Sequence, residues 1–238
     1  MRLINAFKYQ ILSASKAMFM FYGIMVSLRL FGVIVILATD NKEMGMMSAM
    51  ESNTFVFMVF LGVFSIIEDF KFFVQNGYSR KSLIKLYIMQ FVATALMLAF
   101  LDLVIAHVFE LLYPYKTLYA QIYGAQNILL EYSWMVMLYL CAGIVSFFLT
   151  VLFQRLDKMQ RIIVMLLLPV AVMVLVPVLD YTIFQGSIIK TLIETMLMIL
   201  GLYQGIHVFV PLASFVLIFA VFAGLSYLTI RRSSVFLM

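Results

Sequence analysis

Long apolar stretches, separated by shorter polar ones, run through the whole chain. Most of them approach or exceed the roughly 18–20 residues that an α-helix needs to cross about 30 Å of hydrocarbon. None alternates apolar and polar residues in the way that strands of a transmembrane barrel do. The pattern predicts an all-α integral membrane protein that forms a single transmembrane domain over residues 1–238. We expect six transmembrane helices, at residues 17–38, 53–67, 86–108, 132–153, 162–179 and 208–230.

Composition indicates the same class of protein. Hydrophobic residues make up 66% of the chain and charged residues only 11%, whereas charged residues are about a quarter of a soluble globular domain. The net charge of +5 therefore bears on orientation in a lipid bilayer, and we expect no nucleic-acid partner. Cys141 is the only cysteine, which excludes an internal disulfide, so we expect it to pack inside a transmembrane helix.

Three segments outside the six stretches have patterns of their own. In residues 1–16, apolar side chains recur on one side of a helix, which is typical of a helix in the membrane interface. In residues 180–207, the apolar part is short and contains Lys190 and Glu194, so we expect an outer re-entrant segment before the sixth span. Tyrosines spaced like an aromatic layer at the lipid headgroups precede the fourth span, at Tyr113, Tyr115, Tyr119 and Tyr123.

The positive charges are distributed unevenly between the two sides of this layout. With both termini inside, the outer segments contain only Lys42, Lys116 and Lys190. Because loops rich in Lys and Arg stay on the cytoplasmic side, we expect both termini to be cytoplasmic. The inner cations are Arg2, Lys8, Lys16, Lys71, Arg80, Lys81, Lys85, Arg155, Lys158, Arg161, Arg231 and Arg232.

A polar and basic loop, residues 68–85, follows the second span. Apolar side chains recur at helical spacing on one face of its first eight residues, at Phe70, Phe73 and Val74. Polar side chains occupy another face, at Glu68, Lys71 and Gln75. This pattern predicts a short amphipathic helix.

We expect this helix to end at Asn76 and Gly77, because glycine readily adopts the left-handed conformation of a helix C-terminus. Ser79 can then cap a second helix by accepting a hydrogen bond from its first turn. Arg80 and Lys81 begin that helix, where the helix dipole disfavours cations. Their position therefore indicates a role in membrane topology or in binding a partner.

The segment Asn76 to Lys81, with the sequence Asn-Gly-Tyr-Ser-Arg-Lys after the second of six spans, resembles small permease subunits of bacterial ABC exporters. In that family, the loop after the second span carries a coupling helix seated on an ATPase. The resemblance implies a second permease subunit, identical or different, and cytoplasmic ATPase subunits. The residues that it assigns to ATPase coupling are Glu68, Phe70, Lys71, Phe73, Val74, Asn76, Gly77, Ser79, Arg80 and Lys81.

The same resemblance implies a multi-pass protein of the bacterial plasma membrane. It also implies export of a hydrophobic or amphipathic substrate, such as a peptide, an antibiotic or a lipid. The sequence contains no Gly-x-x-x-x-Gly-Lys-Ser/Thr loop for binding ATP. We therefore expect no enzymatic activity, cofactor or metal site in this chain, and ATP and Mg²⁺ in the partner ATPase.

Two charged residues lie inside predicted spans. Arg29 lies roughly 18 Å above the start of the first span, and Asp102 roughly 24 Å above the start of the third. Both helices rise from the cytoplasm, so their depths differ by only about 6 Å. An intramembrane charge needs a partner or a water-filled cavity. The pair predicts either a polar contact on the substrate path or a buried ion pair.

Other functions remain open. A proton-coupled secondary transporter can use Asp102 and His107, although the chain lacks an evident internal repeat. A non-transporting membrane partner protein needs only the spans. Thioethers suit Cu(I) but also fill gaps in packing, and several cluster after the first span, at Met44, Met46, Met47 and Met50.

Overall fold

A computed structural model describes residues 2–39, 49–67, 69–112, 115–124, 127–203 and 205–232. All regular structure in these residues is helical, which confirms the all-α class. Five helical segments are long and apolar enough to cross a membrane, and α2 is apolar but shorter. The helices are α1 (Arg2–Thr39), α2 (Met50–Ile67), α3 (Asp69–Gln75), α4 (Arg80–Leu112), α5 (Leu118–Tyr123), α6 (Ile128–Gln154), α7 (Lys158–Val170), α8 (Val176–Thr182), α9 (Ser187–Ile199) and α10 (Phe209–Arg232).

The predicted interfacial helix and the first span form one continuous helix, α1. No proline or glycine occurs near residue 16, so the local sequence contains nothing that ends a helix there. Buried residues recur every four positions, at Ala6, Gln10, Ala14, Met18 and Tyr22. Because this stripe crosses the predicted boundary, residues 2–16 are not a separate element.

Helices α2, α4 and α6 form the centre of the protein, and α10 packs against α6. Gly62 allows α2 and α6 to approach closely. A Cβ atom built on Gly62 would lie 2.1 Å from Ser146 Oγ and 2.5 Å from the backbone oxygen of Gly143. Small residues thus set the distance between the two helices, as in many pairs of membrane helices.

The fifth predicted span consists of α7, a π-helical turn at Ala171–Leu175, and α8. Pro169 lies inside α7, and Pro177 lies in the first turn of α8. Proline has no N–H to donate and therefore interrupts the regular helical hydrogen bonds. The most apolar part of this segment has no residue buried within the chain.

The region predicted to be re-entrant contains α9, which lies between α8 and α10. Asp180 is buried, and its carboxylate accepts hydrogen bonds from the backbone N–H groups of Ile188 at 2.8 Å and Ile189 at 3.1 Å. These bonds satisfy donors at the start of α9. At its other end, the Tyr123 hydroxyl donates to the carbonyl of Leu200 at 2.7 Å. Contacts within the chain therefore fix both ends of α9.

Three of the four tyrosines of the predicted headgroup layer lie inside the protein. Tyr115, Tyr119 and Tyr123 are all buried. The rings of Tyr119 and Tyr123 lie 5.9 Å and 6.1 Å from the ring of Trp134 on α6. Tyr113 lies outside the described residues. Because α5 folds back onto α6, these side chains belong to the core rather than to an aromatic layer in lipid.

Several helix ends meet at one end of the bundle, which we call the basic end. Arg155, just after α6, donates a hydrogen bond to the carbonyl of Thr229 near the end of α10. Arg231 lines a groove together with Arg80 and Lys81 at the start of α4. Cations from three helix ends are thus close together in space, although they are far apart in sequence.

Candidate functional site

Asp102 is the centre of a buried hydrogen-bond network. Its side chain is only 1% exposed. The Oδ1 atom accepts hydrogen bonds from the hydroxyls of Tyr22 at 2.7 Å and Thr54 at 3.1 Å. The Oδ2 atom accepts one from Tyr139. Four helices, α1, α2, α4 and α6, each contribute one member of this Asp102 network, and the three donors compensate for burying the carboxylate.

A second polar group lies next to the network, around Tyr115. The guanidinium carbon of Arg29 lies 5.1 Å from the centre of the Tyr115 ring, a cation–π distance. The Tyr115 hydroxyl donates to Glu51 Oε2 at 3.3 Å and accepts from the backbone N–H of Met50 at 2.9 Å. Burial, together with the Glu51 carboxylate, raises the pKa of Tyr115. This phenol therefore stays protonated near neutral pH.

Arg29 and Asp102 were predicted to form either a buried ion pair or a polar contact on the substrate path, and they lie in these two neighbouring groups. Arg29 is 6% exposed and acts on Asp102 electrostatically. The Asp102 carboxylate accepts hydrogen bonds from three hydroxyls, and Arg29 contacts the Tyr115 ring. Thr54 joins the groups, since its hydroxyl also lies 3.3 Å from the carbonyl of Met50.

The three hydroxyl donors of the Asp102 network were not identified from the sequence. Tyr22, Thr54 and Tyr139 each occur singly in an apolar helix, where tyrosine and threonine are common. Asp102 was identified because a carboxylate in a span needs partners. Only the packing of four helices shows which hydroxyls those partners are.

His107, the second residue of the proton-coupled alternative, does not join the Asp102 network. Its side chain is exposed, and Nδ1 lies 2.9 Å from the carbonyl of Leu103 on the same helix. Among the described residues, no chain of hydrogen bonds connects His107 to Asp102. The methionines considered for copper lie outside the described residues, except Met50, which is buried at the start of α2.

The loop after α2 has the local structure that its sequence predicts. It contains the short helix α3, and Gly77 follows with a φ of +77°. The Ser79 hydroxyl oxygen accepts a hydrogen bond from the N–H of Ser82 at 3.3 Å, and α4 begins at Arg80. Both turn signals are therefore confirmed. Glu68 lies outside the described residues, and Lys71 lies within α3.

Two of the predicted coupling side chains point into this chain. Phe70 and Phe73 are buried, and the Phe73 ring lies 6.3 Å from that of Tyr9 on α1 and 5.4 Å from that of Tyr78. In this conformation both side chains pack within the chain and hold α3 on the bundle, so they are not exposed to a partner, and their role in ATPase coupling stays a prediction. Helical spacing identifies the apolar face but not what covers it. Val74, the third member, is 37% exposed.

A groove of about 310 Å³ lies beside the turn, at the basic end. Its charged lining comes from Arg80 and Lys81 on α4 and Arg231 on α10. Asn76, in the turn, is exposed, and its amide donates to the carbonyl of Phe72 at 2.8 Å. Three cations from two helices create a positive surface that attracts acidic groups.

A cleft of about 320 Å³ opens between α1 and α2, with α4 as its floor. Rings of α2 line one wall, and Gln10 and Gln90 contribute amide groups. Gln10 could have been noticed as a polar residue at the four-residue spacing of Ala6 and Ala14. Nothing in the sequence around Gln90 distinguishes it.

No family model, curated protein or solved structure matches this chain. The functional interpretation therefore rests on the geometry described above.

Proposed function

We propose that this chain is the permease subunit of an ATP-driven exporter in a bacterial plasma membrane. Its substrate is a hydrophobic or amphipathic molecule, such as a peptide, an antibiotic or a lipid. A separate cytoplasmic ATPase, with its own ATP and Mg²⁺, drives transport, and a second permease subunit completes the membrane part.

The observation that carries this proposal is the short helix α3 with its basic turn. Buried Phe70 and Phe73 fix α3 to the bundle, so a force on α3 reaches the spans. The outer side of the same segment exposes Val74, Arg80 and Lys81. A rigidly attached helix with an exposed apolar and basic surface suits a coupling element.

The arrangement of helix ends supports the rest of the layout. We count the shorter helix α2 as a span as well, which gives six spans in all. We place α9 on the outer side, between α8 and α10. The cations at the basic end then face the cytoplasm, as the positive-inside rule requires. Both termini lie on that side.

Retention of the ATPase on the purified exporter tests the proposal. Val74→Asp places a charge on the exposed side of α3, where truncation of an anchor commonly costs about 2 kcal/mol or more. We expect this variant to insert and fold normally but to lose the ATP hydrolysis that co-purifies with the chain. Lys81→Glu should weaken retention less, because exposed charges contribute less to affinity.

Lys116→Glu, an equivalent charge reversal at an exposed position away from the basic end, is the matched control and should change nothing. Undiminished ATP hydrolysis with Val74→Asp would contradict the proposal. Phe73→Asp is unsuitable as a test, because it would place a charge in the core.

A proton-coupled secondary transporter is the second candidate, favoured by the buried carboxylate of Asp102. The candidates differ in their response to an uncoupler of the proton gradient. Continued export at constant ATP supports the exporter, and immediate loss of export supports proton coupling.

A further inference from the structure

The cleft between α1 and α2 differs from ordinary loose packing because aromatic contacts of α1 bound it on both sides, one with α2 and the other with α3. Toward the Asp102 network, the rings of Phe21 and Phe57 stack at 4.7 Å. Toward the basic end, the rings of Tyr9 and Phe72 stack at 5.8 Å. Fixed contacts on both sides of a space of about 320 Å³ define a preformed site, and this volume falls in the range of small-molecule pockets.

Two amides at the cleft have unused hydrogen-bonding atoms. The Gln10 side chain is fully buried, and neither its oxygen nor its nitrogen has a hydrogen-bond partner among the described residues. The Oε1 atom of Gln90 is likewise unpartnered, in a side chain that is 4% exposed. Both residues line the cleft. Buried polar groups are nearly always paired, so these atoms indicate a missing partner.

The two amides lie at the same level of the bundle. Gln10 lies twelve residues before Tyr22, and Gln90 twelve residues before Asp102, in two helices that pack side by side. Twelve residues correspond to roughly 18 Å of helix. Since Tyr22 and Asp102 are hydrogen-bonded, Gln10 and Gln90 form a second polar layer below the first.

The chemistry of this layer selects a class of ligand. The free atoms comprise two carbonyl acceptors and one NH₂ donor, so a matching group must both donate and accept hydrogen bonds. Among the described residues, no lysine, arginine, aspartate or glutamate lines the cleft, which makes a charged group costly there. The remainder of the ligand must be apolar, because the rings of Phe57, Phe60 and Phe64 form the wall.

We propose that the cleft between α1 and α2 binds an uncharged amphiphile, whose amide or hydroxyl head bonds to Gln10 and Gln90 and whose apolar chain lies along the phenylalanines of α2. This inference does not depend on the exporter proposal. The ligand comes either from the bilayer, as a neutral lipid, or from solution, as a neutral amphipathic solute.

A series of ten-carbon probes tests the head-group selectivity. The full chain is placed in phosphatidylcholine nanodiscs and labelled with a photoreactive alkyl amide, and labelled peptides are mapped by mass spectrometry. We expect saturable labelling of α1 and α2. Decanamide should compete at a roughly tenfold lower concentration than decanoate or decylammonium, because only the neutral amide satisfies the buried groups. Equal competition by all three probes, or no saturable labelling, would overturn the proposal.

Substitutions then separate a binding role from a structural one. Gln10→Leu and Gln90→Leu should abolish the tenfold selectivity while the thermal midpoint stays the same or rises, because each removes an unpaired buried group. A lowered midpoint with unchanged selectivity would show that the amides serve the fold, which overturns the proposal. Ala17→Phe fills the cleft and should block labelling. Met20→Phe, at an exposed position on the same helix, should leave labelling unchanged.

The source of the ligand follows from which lipid, if any, stays bound to the protein when it is extracted from its own membranes. A neutral lipid that co-purifies with the wild type, but not with Ala17→Phe, identifies the bilayer as the source. A chain without lipid that still binds decanamide selectively identifies a solute. A co-purifying anionic lipid that decanamide does not displace would contradict the proposal.

Discussion

The two sides of α2 are packed very differently. On the side of α6, Gly62 leaves no space, since even a Cβ atom there would lie 2.1 Å from Ser146 Oγ. On the side of α1, the same helix borders an open cleft of about 320 Å³. Because α2 packs as closely as backbone contact on the side of α6, the helix as a whole does not resist close packing. The opening on the other side is therefore set by the bulky rings that α2 presents to α1.

The contrast separates a closely packed part of the protein from a more open one. Helices α2, α4 and α6 form the closely packed part, and α1 borders the cleft. The Asp102 network joins α1 and α2 to α4 and α6 through a single carboxylate.

Removal of that carboxylate should have the largest effect. Asp102→Ala leaves the Tyr139 hydroxyl without its acceptor, and it removes one of two acceptors from the hydroxyls of Tyr22 and Thr54. An unsatisfied buried group costs about 1–3 kcal/mol, and two further hydrogen bonds are lost, so we expect the free energy of unfolding to fall by roughly 3 kcal/mol. Thermal unfolding in detergent measures it, with the exposed Glu110→Ala on the same helix as control. A loss no greater than that of Glu110→Ala would mean that the network does not hold α1.

The tight side of α2 should be the next most sensitive. Gly62→Ala inserts a methyl group against the backbone of α6, and overpacking of this kind costs about 1–3 kcal/mol. Gly224→Ala on α10 is the matched control, because a Cβ there meets no atom within 4 Å. In a helix, that change favours stability by about 0.5–1 kcal/mol. Equal thermal midpoints for the two variants would refute the close contact between α2 and α6.

A smaller effect is expected at the edge of the cleft that lies toward the Asp102 network. Phe57→Ala removes the stacked pair with Phe21, which contributes about 0.5–1.5 kcal/mol beyond its buried area. The cleft should widen as a result. A cysteine at Ser13 should then react faster with a thiol reagent than it does next to an intact Phe57. An unchanged rate would show that the stack does not restrict access.

Local features of the fold could be predicted from the sequence, and tertiary ones could not. Gly77 and Ser79 act through their own backbone neighbourhood, so the end of α3 and the start of α4 were both predicted correctly. The helical, apolar character of the long segments depends on composition, and it too was predicted.

What covers the apolar side chains of the short helices could not be predicted, for one physical reason. Phe70, Phe73 and Tyr119 lie in short helices between the long ones, where either lipid, a partner or the chain itself can cover an apolar face. The sequence pattern is the same in each case. Burial of these residues is decided by contacts with Tyr9, Tyr78 and Trp134, distant in sequence or outside the pattern.

In the proposed orientation, the basic end, with α3 and its turn, faces the cytoplasm. Labelling of intact cells with an impermeant maleimide tests it directly, in a Cys141→Ala background that removes the only native thiol. The reporter cysteines replace Ser79 at the basic end and Lys116 at the opposite end, both exposed positions. We predict that the cysteine at residue 116 is labelled from outside and that the one at residue 79 is labelled only after the membrane is permeabilised. Labelling at residue 79 in intact cells would contradict the proposed orientation and, with it, any contact between α3 and a cytoplasmic ATPase.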